Sequence, residues 1–222
     1  MKLLKTLLNP LRNLGFFLLL MPFGNSFAQS QDLKMTLDKI VETTFDVKDF
    51  DVWKPLFLKD SLIQKENGVQ TIVISSKIGE PHQMMNVAMV ADVEKAKMAM
   101  KDAGYLGRIK TRGVSNTKSV YYQVVRFDPS SKETKWVIMT HKVKDFDAWL
   151  AAFDQGKSMR TAAGLTDVLI SRNIDDPSMV QIVDDIADLG KAKAFVASKI
   201  LQERMKMAGV IGKPEVQFYE SR

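Results

Sequence analysis

Val47-Lys48-Asp49-Phe50-Asp51-Val52-Trp53 returns as Val143-Lys144-Asp145-Phe146-Asp147-Ala148-Trp149, at an offset of 96 residues. The offset holds to the C-terminus without a gap. Gly68 falls on Gly164, Pro81 on Pro177, Asp92 on Asp188 and Lys95-Ala96-Lys97 on Lys191-Ala192-Lys193. From Val47 to Arg126, 24 of 80 positions match their counterparts. Both halves must therefore share one fold.

The second half gives the clearer reading. Trp136 to Val143 is rich in β-branched and aromatic residues and reads as a strand. Asp145 is placed to cap a helix, with Asp147 in the positive first turn. Phe146, Trp149, Leu150 and Phe153 follow at helical spacing, so one stripe faces a core. This helix is expected to run to about Ala163 and stop at Gly164. Asp167 to Ile174 is the second strand, Asp175-Asp176-Pro177 a turn, and Met179 to Ile186 the third strand. Asp188 caps a second helix to about Ala208, with Ala192, Phe195, Val196 and Ile200 inward. Gly209 ends it, and Glu215 to Tyr219 is the last strand.

The order β-α-β-β-α-β is the split βαβ, or ferredoxin-like, unit. Two helices cover one sheet face and leave the other bare. A tandem copy can cover it. The expected fold is α+β: two ferredoxin-like repeats packed sheet to sheet as an intrachain pseudo-dimeric barrel, with approximate twofold symmetry and a monomeric chain. The alternative is two beads, each paired with another chain. Pro55 stands where Ala151 does, and Gly104 and Gly107 where Ile200 and Glu203 do. The first repeat is therefore expected to be less regular.

The expected boundaries are a leader at 1–28, a lead-in at 29–38, repeats at 39–127 and 136–222, and a linker at 128–135. Lys2, Lys5 and Arg12 precede an apolar run from Leu14 to Phe23, and Ser26-Phe27-Ala28 supplies small residues for cleavage before Gln29. This reads as a secretory signal peptide, hence a periplasmic or secreted protein; the alternative is an uncleaved anchor. No cysteine is present, so neither disulfides nor thiolate chemistry enter. Removing the leader lowers the formal charge from +6 to +3. The remaining charges are interspersed, which argues against nucleic acid binding, and no membrane span remains.

His141 to Trp149, Met159-Arg160, Ala162-Ala163-Gly164, Asp175-Asp176-Pro177, Asp188 to Phe195 and Ala208-Gly209-Val210 together resemble the small proteins of the dimeric α+β barrel superfamily. That superfamily includes antibiotic-biosynthesis-monooxygenase-like and "cyclase"-like domains. The resemblance covers 136–222 and, through the offset, 40–127 more weakly. It implies the barrel fold. For function it spans cofactor-independent oxygenases, haem-degrading enzymes, isomerases and stress proteins, so function must come from the site.

His141 is the leading candidate for a catalytic base; the alternative is a structural histidine bonded to nearby backbone. Comparing the repeats, His141 aligns with Phe45, Arg160 with Gln64, Arg172 with Ser76 and Asp184 with Ala88. These four residues are expected to converge on a polar pocket in the C-terminal half, with Arg160, Arg172 and Asp184 binding a ligand. The alternative leaves both arginines as surface charges. His82, after Pro81, reads as a solvated turn residue. Trp53 and Trp149 read as core anchors, and the paired lysines as a solvated helix face. Met84, Met85, Met89, Met98 and Met100 suggest an adaptable interior suited to a small hydrophobic ligand. No Walker, Rossmann or GxSxG motif is present, and no metal or cofactor is called for. The first expectation is a binding or interaction module. The second is a cofactor-independent monooxygenase acting on an aromatic or polyketide-like substrate, with His141 as base. The third is haem binding through His141.

Overall fold

The computed structural model describes residues 37–222; the leader at 1–28 and most of the lead-in lie outside them. The first repeat comprises β1 (Lys39–Val47), α1 (Phe50–Lys59), α2 (Ser61–Glu66), β2 (Val69–Lys77), β3 (Glu80–Val90), α3 (Val93–Lys101), α4 (Ala103–Thr111) and β4 (Val114–Phe127). The second comprises β5 (Lys135–Val143), α5 (Phe146–Gln155), α6 (Lys157–Ala162), β6 (Leu165–Asn173), β7 (Met179–Ile186), α7 (Leu189–Val196), α8 (Lys199–Met207) and β8 (Val210–Ser221).

Each repeat forms an antiparallel sheet, ordered β4-β1-β3-β2 in the first and β8-β5-β7-β6 in the second. The edges then join across the repeats. β4 pairs with β6 from Tyr122↔Asn173 to Phe127↔Leu169, and β2 pairs with β8 from Ser75↔Ser221 to Lys77↔Tyr219. The result is a closed eight-stranded barrel with no unpaired sheet edge.

The barrel interior is packed by Ile40, Tyr122, Val168 and Leu169 and by Val73, Met85, Trp136, Ile138 and Tyr219. Only about 50 Å³ remains open there. Within this apolar filling the Gln181 amide donates to Glu42 across the repeats at 2.7 Å. Burial pushes the Glu42 carboxyl up to about 7, opposed by the Gln181 hydrogen bond.

The helices lie outside, held by their caps. Asp49 accepts from the Asp51 and Val52 amides, and Asp145 from Ala148. Asp92 and Asp188 cap α3 and α7 in the same way. Replacing Asp145 by alanine should lower stability by about 0.5–2 kcal/mol in urea melts; no change would mean the cap is dispensable. Gly164 has φ +72°, and a Cβ there would meet the Asp188 amide nitrogen at 3.3 Å. Glycine is thus required both by the left-handed backbone and by the close approach.

Several expectations are corrected. Each long helix is two shorter ones. The first breaks at Asp60 and Gly156, the second at Asp102 and near Ser198. Ser198 recaps α8 by accepting from the Leu201 amide. The break turns the helix face, so Leu201 and Met205 pack inward while Ile200 is 58% exposed. The helices at Pro55 and at Gly104 and Gly107 are no less regular than their counterparts. α1 matches α5 residue for residue at the offset, with Pro55 inside it. The carbonyl that Pro55 leaves unbonded belongs to Asp51, which is exposed to water. α4 likewise matches α8 despite Gly104 and Gly107, secured by the Asp102 cap on Tyr105. The outer strands run longer than expected, and His82 lies exposed on β3 rather than in a turn. Met84, Met85 and Met89 are buried, but Met98 is 67% exposed.

Candidate functional site

Two cavities lie between the sheets and the helices, and the 96-residue offset relates them. The one in the second repeat is lined by Met139, His141, Trp149, Arg160, Ile182, Asp184 and Phe195, among others, and holds about 80 Å³. The one in the first repeat holds about 520 Å³. Its walls include the counterparts Thr43, Phe45, Trp53, Gln64, Asn86 and Ala99.

His141, Arg160 and Asp184 therefore do meet around one cavity. β5 carries His141 and β7 carries Asp184, both on the helix-facing side, and α6 carries Arg160. Arg172 does not join them. Its Nε donates to the Pro177 carbonyl at 2.8 Å, and its guanidinium lies 4.3 Å from the Phe146 ring centroid. The backbone carbonyl and the ring hold it at the β6–β7 turn.

The three that meet line a cavity of only about 80 Å³. Arg160 is fully engaged. Its Nε and Nη2 donate to both oxygens of Asp167 at 2.6 and 2.7 Å, and Nη1 donates to the Phe153 carbonyl at 2.6 Å. Its guanidinium also stacks 3.5 Å from the Phe153 ring centroid. Gly156 makes this possible, since a Cβ there would meet Nη1 at 3.1 Å. In the first repeat the corresponding pair is neutral: Thr71 donates to Gln64 at 3.3 Å. The same link between helix and strand is ionic in one repeat and uncharged in the other.

His141 is buried against Trp149, ring centroids 5.4 Å apart. Neither ring nitrogen has a hydrogen-bond partner, so the backbone-bonded alternative does not hold either. Burial pulls its pKa down to about 4, so the ring is neutral at pH 7. Asp184 is buried with Oδ1 unpartnered. Burial, then the charge of Asp167, pushes its carboxyl up to about 7, opposed by Arg160.

The larger, more accessible space is in the other half from the one expected. Its cause is residue size. Met139, Ile182 and Phe195 of the second repeat are Thr43, Asn86 and Ala99 in the first. Phe45, Trp53 and Phe57 form an aromatic wall. Asn86 is 7% exposed and its Oδ1 has no partner. Arg108 Nε, on the helix wall, is also buried without a partner. Asp60 is taken by Arg112, whose Nη1 and Nη2 donate at 2.5 and 3.2 Å. Burial raises the Tyr105 pKa, so the phenol keeps its proton. Gained polar groups stand out when the two repeats are aligned, whereas this space is made by side-chain volume lost at Thr43, Asn86 and Ala99.

No family model matches the sequence, and no curated protein matches it. Solved structures do. An anthrone oxidase-like protein superposes with TM-score 0.56 at 12% identity, covering 85% of this chain and 92% of its own. A heme-binding protein from Thermus thermophilus gives 0.53 at 14%, covering 83% and 91%. The fold is the dimeric α+β barrel. A candidate monooxygenase from Lactobacillus acidophilus gives 0.52 at 12%, covering 83% and 94%. The likeness spans both repeats, so dimeric α+β barrels on one polypeptide occur among these structures too. At these identities it establishes architecture alone.

Haem ligation by His141 does not fit the residues here. The cavity with a histidine is about 80 Å³, and no histidine or cysteine lines the larger one. Among the described residues no cluster of three or more metal-ligating side chains occurs.

Proposed function

We propose that this chain is an exported, monomeric dimeric-α+β-barrel protein that binds a small apolar molecule in the first repeat. The observation that carries the reading is the cavity of about 520 Å³, within the 300–1,000 Å³ typical of small-molecule sites. Aromatic walls with few polar groups suit an apolar body. The packed barrel and the tight His141 cavity weigh against a catalytic base there, because a substrate could not reach either ring nitrogen. Complete pairing of the strands within one chain supports the monomer. The basic, apolar and small-residue order of the leader supports export, which N-terminal sequencing of secreted protein would test.

Ala99→Phe tests the binding reading, because phenylalanine already stands at the counterpart, residue 195. Titrated with the fluorescent dye 1-anilinonaphthalene-8-sulfonate, the native protein should bind. The variant should bind about tenfold or more weakly, a loss of about 1.4 kcal/mol. Equal binding at equal thermal stability would place the dye elsewhere and remove the support for this cavity.

A further inference from the structure

The two repeats differ inside the barrel at two pairs of equivalent positions: Glu42 with Ile138, and Met85 with Gln181. Glu42 of the first repeat meets Gln181 of the second, whose Nε2 donates to Oε2 at 2.7 Å. The offset maps that contact onto Ile138 and Met85, which belong to one apolar cluster. Polar thus faces polar in one place, and apolar faces apolar in the equivalent one. Gln181 is 1% exposed. Its Oε1 is engaged within its own repeat by Ser171 Oγ at 3.3 Å, so its Nε2 depends on the first repeat. Apart from these two residues, the walls of the space they share are hydrophobic side chains.

Pairing like with like would undo the match. Two first repeats face to face would set each Glu42 against a Met85. Two second repeats would set each Gln181 against an Ile138. Either way a polar group loses its partner twice, which is strongly unfavourable in an apolar interior. A single polar side chain in the apolar seam of a coiled coil selects partners by the same logic. The ion pairs between the repeats do not sort in this way. Arg126–Asp154 and Lys97–Asp175 have Arg222–Leu58 and Lys193–Gly79 as counterparts. Two second repeats would make both pairs twice and two first repeats neither, so the total is unchanged.

From this arrangement we infer that the inner sheet face of the first repeat accepts a second-type repeat and refuses another copy of itself, with Glu42 and Gln181 as the selecting residues. The barrel closes between unlike halves, and copies of this chain do not trade like ones. The inference is independent of what the helix-side cavities bind.

The test re-sorts these four side chains within the intact chain and reads urea denaturation. Ile138→Glu with Gln181→Met recreates the contacts of two first repeats. Glu42→Ile with Met85→Gln recreates those of two second repeats. All four substitutions together reverse the native arrangement and match polar with polar again. Each like-with-like variant should raise the unfolding equilibrium constant about tenfold or more, equivalent to about 1.4 kcal/mol. The fourfold variant should recover most of that loss, whereas independent effects would add the two losses together. Glu42→Ile with Gln181→Met, apolar in both places, should fold and lose less than either like-with-like variant. Like-with-like variants as stable as the native chain, or a fourfold variant no more stable than they are, would overturn the inference.

Discussion

Trp149→Ala should destabilise the protein by about 3–5 kcal/mol, the range for losing a buried indole. Trp149 stacks on Phe153 at 5.4 Å and packs on Phe146 at 5.7 Å and His141 at 5.4 Å. Its neighbours Met139, Val143, Ile170, Val180 and Ile182 are buried. Trp149 borders only the cavity of about 80 Å³, so its removal would leave a void that is mostly new. Trp53 has the same repeat position and equally close rings, Phe57 at 4.7 Å and Phe45 at 5.1 Å. It also borders the larger cavity, so its removal widens an existing space. Trp53→Ala should therefore cost about 1 kcal/mol less, since the penalty grows with new cavity volume. Urea melts of both variants measure this, and equal losses would contradict the difference in packing.

The second large effect belongs to Asp184. Its carboxyl is held near 7 by burial and by the charge of Asp167, against about 3.9 in an unfolded chain. A raised folded-state value means that the native protein keeps a proton the unfolded chain has released. The stabilisation is fully present below about pH 4 and is lost as pH rises through about 7. Asp184→Asn removes this dependence while preserving a neutral polar side chain. The variant should gain on the native protein by up to about 1.4 kcal/mol per pH unit between about pH 4 and 7, then hold a constant gap. Glu42, also raised to about 7, and His141, lowered to about 4, titrate in both proteins and largely cancel in the difference. Chemical denaturation from pH 4 to 8 provides the test. A gap independent of pH would show that Asp184 is ionised throughout.

The repeat made the architecture legible. Asp49, Asp145, Asp92 and Asp188 could be recognised as caps because acidic residues precede apolar stripes at matching positions. Trp53 and Trp149 could be recognised as anchors because each sits on its stripe. The helix breaks have a sequence signal: Asp102 and Ser198 occupy the same repeat position, and both are capping residue types. Their role was obscured because the apolar pattern continues across the break. At the site, His141, Arg160 and Asp184 were found together because a shared strand face and helix brought them there. Arg172 was misplaced because periodicity does not reveal which carbonyl or ring will capture a long side chain. The larger cavity escaped notice because it is made by missing volume at Thr43, Asn86 and Ala99, and space is visible only when both repeats are compared for size.

The covalent union of the two halves has an evolutionary consequence. In a barrel assembled from identical subunits, every substitution appears twice, so neither side can specialise alone. Here one lobe is narrowed to about 80 Å³ by Phe195 and Ile182, while the other keeps about 520 Å³ beside Ala99 and Asn86. Carrying both halves on one chain releases the lobes from that symmetry, and under the proposed function the open lobe is the one that hosts a guest. The expected stoichiometry is one guest per polypeptide, with no twin site to compete or cooperate.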